Sequence, residues 1–320
     1  MSIKPIFLLS LPRAGSTLLQ RLLSLNGGIS TKSEPWIALP LFFALKERSV
    51  RSIYGHNTLT KGISGFVDSF PHGIDDYYAS SAKYLNAMYA LGAEPGSTYF
   101  LDKTPRYHLI VDELFKAFPD GKFIFLWRNP LAVSASMIET YGKGNWNLYM
   151  FWVDLYSGID SLINAFNQNS ARSIAVKYED LVAQPNEQIM EIMDYLELEY
   201  TANSVDELKN AKKMWGDRTG QYKYDHISQA SKDKWKSVLS NPFRKTWAMN
   251  YLSWIGQDRL TTMGYDINIL KSEIENQQTN LNHAMSDIAR DIYGKIYCKY
   301  AIDDIRTNQS FFDNKYYCKN

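Results

Sequence analysis

The run from Ile6 to Leu23 constrains this chain most: Ile-Phe-Leu-Leu-Ser-Leu-Pro-Arg-Ala-Gly-Ser-Thr-Leu-Leu-Gln-Arg-Leu-Leu. Its first five residues are a short, nearly continuous apolar run, which predicts a buried strand over Ile6 to Ser10. Leu18, Leu19, Leu22 and Leu23 then recur at three- and four-residue spacing, which predicts a helix from about Ser16 to Leu25. A strand, a tight loop and a helix start turn loop amides and the first helical turn toward one point, where the helix dipole adds positive potential. Such a unit is a cradle for a phosphate or sulfate-like group. Arg13, Ala14, Gly15, Ser16, Thr17 and Leu18 are its candidate binding residues.

Against the Walker pattern G-x-x-x-x-G-K-[ST], Gly15 and Thr17 match, Ser10 stands where the first glycine belongs and Ser16 replaces the lysine. That lysine is the point charge nucleotide triphosphatases place on the transferred phosphate. Arg13 offers a charge from another position, so the loop predicts an anion site and argues against an ATPase. Lys plus Arg number 35 against 34 for Asp plus Glu, so no global field draws the chain to nucleic acid or an anionic membrane. Any anion site is therefore local. Ile6 to Leu11 is too short for a transmembrane segment and badly placed for a signal peptide, and no other stretch approaches membrane length. Two cysteines, Cys298 and Cys318, form no disulfide framework or metal cluster, so the expectation is a metal-independent, cytoplasmic protein.

Short apolar runs alternate with helical spacing, which predicts an α/β fold, a parallel sheet flanked by crossover helices. Further strands are expected at Thr98–Leu101, Lys122–Trp127 and Ser173–Lys177, with helices at Tyr107–Phe118, after Asn129-Pro130, and at Gln188–Leu196. Residues 35–95 read as a helical insertion over the sheet's carboxyl edge, where ligands bind in open α/β sheets. Leu281, Met285, Ile288, Ile292 and Ile296 mark a C-terminal amphipathic helix, which either packs on its own domain or forms a homodimer contact.

The second informative stretch is Lys122 to Met137. Arg128 leaves the end of a buried strand, Pro130 starts the next helix, and Ser134 and Ser136 sit on that helix. Two separated anion sites suit a nucleotide with phosphates at both ends. Here the sequence resembles the sulfotransferases that use 3′-phosphoadenosine 5′-phosphosulfate (PAPS). Their 5′-phosphosulfate loop is similar to Pro12-Arg13-Ala14-Gly15-Ser16-Thr17-Leu18-Leu19, and their 3′-phosphate motif to Arg128, Asn129-Pro130 and Ser136. Lys103-Thr104-Pro105-Arg106, Phe118 to Ile124 and Val176-Lys177-Tyr178-Glu179-Asp180-Leu181 resemble the bacterial branch akin to tyrosylprotein sulfotransferases. Arg218-Thr219, Lys234-Trp235 and Met263 to Asp266 resemble its late cofactor loop.

The resemblance covers residues 5–266 and implies a sulfotransferase domain over 1–266, a P-loop-type sheet, and a C-terminal extension over 267–320. It implies PAPS as donor, bound by residues 13–18, Arg128, Ser136, Tyr178, Arg218, Thr219 and Lys234. It also implies Arg13 and Lys103 as catalytic cations and Glu34 as the base, with an acceptor hydroxyl on a carbohydrate or glycoconjugate. The small-molecule branch uses a histidine base instead, and His108 is the nearest in sequence to Lys103, so both assignments stay open. So do two other functions: a P-loop kinase or NTPase, and a nucleotide-binding protein of the same fold without catalysis.

Overall fold

The structure, a computed structural model, describes residues 3–46, 53–200, 208 and 232–300. Strands β1 (Lys4–Ser10), β2 (Ile29–Thr31), β3 (Tyr99–Asp102), β4 (Lys122–Trp127) and β5 (Ser173–Lys177) form one parallel sheet of order β2-β3-β1-β4-β5 among the described residues. A parallel sheet is covered on both faces, so its central strands are apolar throughout. Ile6 and Leu8 of β1 and Ile124 and Leu126 of β4 point to one face, under Leu18, Leu19, Leu22 and Leu23 of α1 (Ser16–Ser24). Phe7 and Leu9, with Phe123, Phe125 and Trp127, make the other face aromatic, and Phe115 stacks on Phe123 at 3.7 Å between centroids. Truncating one of the buried α1 leucines is expected to cost about 2–5 kcal/mol. It would also loosen the helix that carries the anion loop.

Helices fill much of the 35–95 segment as expected: α2 (Ala38–Phe43), α3 (His56–Val67) and α4 (Ile74–Gly92). α4 is more than an addition above the edge. It is the crossover that returns the chain from β2 to β3, and it buries Leu85 and Tyr89 in the aromatic layer. The strand β2 before it was not foreseen. The single helix expected over Tyr107–Phe118 is corrected to a 3₁₀ turn, Tyr107–Leu109, a break at Ile110 (φ −133°), and α5 (Val111–Ala117). The next helices are α6 (Pro130–Tyr141), α7 (Gly158–Gln168), α8 (Tyr178–Ala183) and α9 (Pro185–Leu196), followed by α10 (Lys234–Val238). α11 (Pro242–Thr262) is interrupted at Gly256, and α12 (Ile267–Glu275) and α13 (Ala284–Tyr300) end the described chain.

α13 packs on its own domain, but not through its apolar stripe. Leu281, Met285, Ile288, Ile292 and Ile296 are all exposed, from 40% at Ile288 to 80% at Met285. The helix docks through its other side. Asp287, wholly buried, takes Arg244 Nε and Nη2 at 2.7 and 3.1 Å and also accepts from the Trp146 amide and Asn241 Nδ2. No helix among the described residues is long and apolar enough to cross a membrane.

Candidate functional site

Each parallel strand delivers its last residues to the same edge, and the chain leaving β1 turns one way while the chain leaving β4 turns the other. That switch point opens a crevice between the two strand ends. On the β1 side, Gly15 caps α1 at φ +99°, and a Cβ there would sit 2.4 Å from the Tyr178 ring, so only glycine fits. No side chain caps α1, and the first-turn amides of Ser16 and Thr17 have no carbonyl inside the helix to bond. The amides of Ala14 and Leu18 are already spent on Leu11 O (3.2 Å) and Gly15 O (3.0 Å), and both side chains are buried. These two expected binding residues therefore shape the loop and have no free amide to offer a ligand.

Arg13 holds a positive φ of +71°, a strained conformation for a non-glycine residue. The second segment ties it down at both ends. Arg128 Nη1 donates to Arg13 O at 2.8 Å, and Arg13 Nε donates to Ser136 Oγ at 3.2 Å. Arg128 itself is buried, with its guanidinium 4.3 Å over the Tyr178 ring. Asn129 Oδ1 caps α6 by accepting from Leu131 N at 2.9 Å, and Glu179 Oε1 accepts the Asn129 amide at 3.2 Å. Tyr265 donates its hydroxyl to the other Glu179 oxygen, and burial holds that phenol well above its ordinary range, so it stays a donor. Ser134 bonds back to Pro130 O within α6, whereas Ser136 faces Arg13. Lys234 pairs with Glu139 at 3.3 Å, one helical turn from Ser136. Arg218 and Thr219 lie outside the described residues.

On the other side of β1, Lys103 follows β3 and is 3% exposed; its Nζ lies 2.8 Å from Glu34 Oε1. Trp36 Nε1 donates to Glu34 Oε2 at 3.3 Å, and Trp36 itself sits at φ +59°. Gln20 of α1 donates to Thr31 Oγ1 and Lys32 O at 2.8 and 2.7 Å, fastening the Glu34 segment to the helix of the anion loop. His108 is elsewhere: it has no exposed side-chain surface, and its Nε2 is hydrogen-bonded to Asp154 Oδ1 at 3.1 Å. Sequence reasoning did not single out Gln20.

From one end of the edge to the other the residues run Glu34, Lys103, Arg13 to Thr17, Arg128, Tyr178, in the order of the strands that carry them. At about 4.8 Å per strand gap this row is about 19 Å long. It joins a carboxylate–ammonium pair, an uncapped helix N-terminus and a buried arginine stacked on a tyrosine. That is a P-loop-type anion-binding α/β protein whose loop carries serine at the usual lysine place. The chain belongs to the sulfotransferase family, whose model matches residues 5–202, from β1 to beyond α9. It is 26% identical over 287 residues to the nodulation protein NoeE of Sinorhizobium fredii (strain NBRC 101917 / NGR234), an alignment covering 81% of this chain and 65% of NoeE. It is 24% identical over 181 residues to carbohydrate sulfotransferase 1 of Danio rerio, covering 50% of this chain and 42% of that protein. The chain thus spans less than two thirds of either relative. The solved sulfotransferase domain of the Synechococcus PCC 7002 olefin synthase shares the fold, with a TM-score of 0.52 at 23% identity over 83% of this chain and 96% of that one.

Proposed function

We propose that this chain moves the sulfuryl group of PAPS onto an acceptor hydroxyl of a carbohydrate or glycoconjugate. The observation that carries the reading is the row along the sheet edge, with the Glu34–Lys103 pair at one end and two anion cradles beyond it. The uncapped α1 fits a terminal phosphosulfate held by Arg13 and the amides of Gly15, Ser16 and Thr17. Arg128 and Ser136 would hold the 3′-phosphate and Tyr178 would flank the adenosine, with Arg218, Thr219 and Lys234 as later contacts. PAPS supplies an activated sulfuryl group, which leaves a bridging oxygen that gathers negative charge. Lys103 and Arg13 are the cations to neutralise that charge.

Glu34 is the base in this reading. Oε1 stays on Lys103 while Oε2, held only through the longer Trp36 contact, accepts the proton of the acceptor hydroxyl. His108 has no exposed side-chain surface and bonds Asp154 in the interior, which supports Glu34 over His108. The exposed indole of Trp36 and the stacked Tyr141–Phe151 pair, with Arg13 5.9 Å from Tyr141, offer flat apolar faces suited to a sugar ring. Similarity to the carbohydrate sulfotransferase 1 of Danio rerio supports the same acceptor class. The reading includes a cytoplasmic location and no metal requirement.

The test is transfer of ³⁵S from labelled PAPS to a panel of saccharides, glycolipids and tyrosine peptides, beside a titration with 3′,5′-bisphosphoadenosine. Binding of the bisphosphate without Mg²⁺ and labelling of a saccharide are the expected results. Preference for Mg-ATP would point to a kinase or NTPase, labelling of tyrosine alone would move the acceptor, and binding without turnover would leave a catalytically silent protein.

A further inference from the structure

Asp102 closes β3 one residue before Lys103 and has no exposed surface. A buried carboxylate is tolerated only where hydrogen bonds replace its water. Three hydroxyls do so here: Thr104 Oγ1 donates to Oδ1 at 3.0 Å, while Tyr89 and Tyr107 donate to Oδ2 at 2.7 and 2.8 Å. Two of the three pass the constraint onward. The Trp36 amide donates to Thr104 Oγ1 at 3.3 Å, and the Ala38 amide donates to Tyr107 Oη at 3.2 Å. Tyr89 donates to Asp102 without bonding that segment among the described residues.

A hydroxyl has one hydrogen. Because Asp102 accepts it, Thr104 and Tyr107 present only lone pairs to the two amides. Burial holds the Tyr89 and Tyr107 phenols well above their ordinary range, so both keep the proton they donate. The held segment starts at Trp36, whose positive φ needs an external restraint, and its side chain bonds Glu34.

We infer that Asp102 is a positioning residue: through Thr104 and Tyr107 its carboxylate fixes the backbone of Trp36 and Ala38, and thereby the aim of Glu34. The inference deepens the proposed function and rests on Glu34 being the base. Asp102 also sets the strand end from which Lys103 departs, so one carboxylate registers both members of the pair. The groups facing it are Tyr89 from α4, Tyr107 from the 3₁₀ turn, and Thr104 and Lys103 beside it in sequence.

The experiment compares Asp102→Asn, Thr104→Val, Tyr107→Phe and Tyr89→Phe in the whole protein. Hydrogen exchange at the Trp36 and Ala38 amides reads the restraint, and kcat, KM and bisphosphate affinity read its consequence. Losing one relay is expected to speed exchange about tenfold at the amide it serves and to lower kcat about tenfold, with KM for PAPS and bisphosphate affinity unchanged. Asp102→Asn should do both at both amides, Thr104→Ser should restore Trp36, and Tyr89→Phe should lower the melting temperature while leaving exchange and kcat within about twofold. Unchanged exchange in Thr104→Val and Tyr107→Phe overturns the inference. So does a kcat loss in Tyr89→Phe equal to that in Tyr107→Phe. If the wild-type protein labels no acceptor, the proposed function fails, and the exchange pattern alone decides for or against the restraint.

Discussion

Replacing Glu34 with Gln removes the oxygen proposed as the base and leaves nearly everything around it in place. Gln keeps a carbonyl for Lys103 Nζ, now 2.8 Å from Oε1, and gives up only the longer 3.3 Å contact from the Trp36 indole, because its amide nitrogen is a donor. Lys103, almost wholly buried, loses its counter-charge but keeps an acceptor, so the loss is the charge-assisted part of one hydrogen bond, about 1 kcal/mol of stability. The variant should therefore fold. Without a proton acceptor, kcat is expected to fall about 10²–10⁴-fold, or roughly 3–5.5 kcal/mol of barrier. The assay is ³⁵S transfer at saturating PAPS and acceptor, paired with calorimetric titration of the bisphosphate, whose affinity should hold within about twofold because Glu34 touches neither cradle. Retention of more than about a tenth of wild-type kcat, or a matching loss of bisphosphate affinity, refutes the reasoning. His108→Asn is the companion variant. Its imidazole serves Asp154 in the interior, so the substitution should lower the melting temperature and spare kcat. Turnover lost there and kept in Glu34→Gln would transfer the base to His108.

Arg128→Ala or Ser136→Ala should each weaken bisphosphate binding by about 1.5–3 kcal/mol and leave the nucleotide lacking the 3′-phosphate little affected; equal losses for both ligands would remove Arg128 and Ser136 from that phosphate. Burial pushes the Asp102 carboxyl up to about 6, against an ordinary value near 3.8. The folded chain then binds more protons than the unfolded one between these values, so this group lowers stability as pH rises, by about 2 kcal/mol from about pH 4 to about pH 6 and about 3 kcal/mol over the whole titration. Denaturant midpoints at the two pH values should show that decline in wild type and not in Asp102→Asn, and equal slopes would contradict it. On α13, Ile292→Ser should leave the melting temperature unchanged, because the side chain is exposed, whereas Asp287→Ala strands the buried Arg244 and should cost about 3–5 kcal/mol. Light scattering of Ile292→Ser against wild type tests the homodimer proposed for that face: a dimeric wild type and a lighter variant support it, and a monomeric wild type removes it.

The strands β1 and β4 were legible because both faces of each are buried and every residue between their turns is apolar or nearly so. β2 was not, since three residues show no period, and its place depends on the ladder with β3 and on Gln20 reaching across from α1. The α13 stripe was read correctly as a helix and gave no direction, because a period identifies a face and not what it looks at. The direction came from Arg244 and Asp287, 43 residues apart and both charged, a pair that no hydrophobic pattern reports. Glu34 and Lys103 stand 69 residues apart and were joined by family resemblance rather than by spacing. Asp102 was invisible for a related reason: its donors come from α4, the 3₁₀ turn and its own loop, with no shared interval.

The strand order also has a consequence in time. β1 reaches its partners only when β3 and β4 arrive, 95 residues later at Lys4–Tyr99 and further still at Ile6–Lys122. At about 5–20 residues per second of synthesis, the stretch from the glycine loop to Tyr178 takes on the order of ten to thirty seconds to emerge. Throughout that interval the loop has been made and the ring that closes over Gly15 has not. On the proposed function, nucleotide would therefore reward a finished sheet rather than act as an early scaffold. A nascent or nicked polypeptide that stops short of Tyr178 lacks the stacking partner of Arg128 altogether, and its binding should vanish rather than weaken.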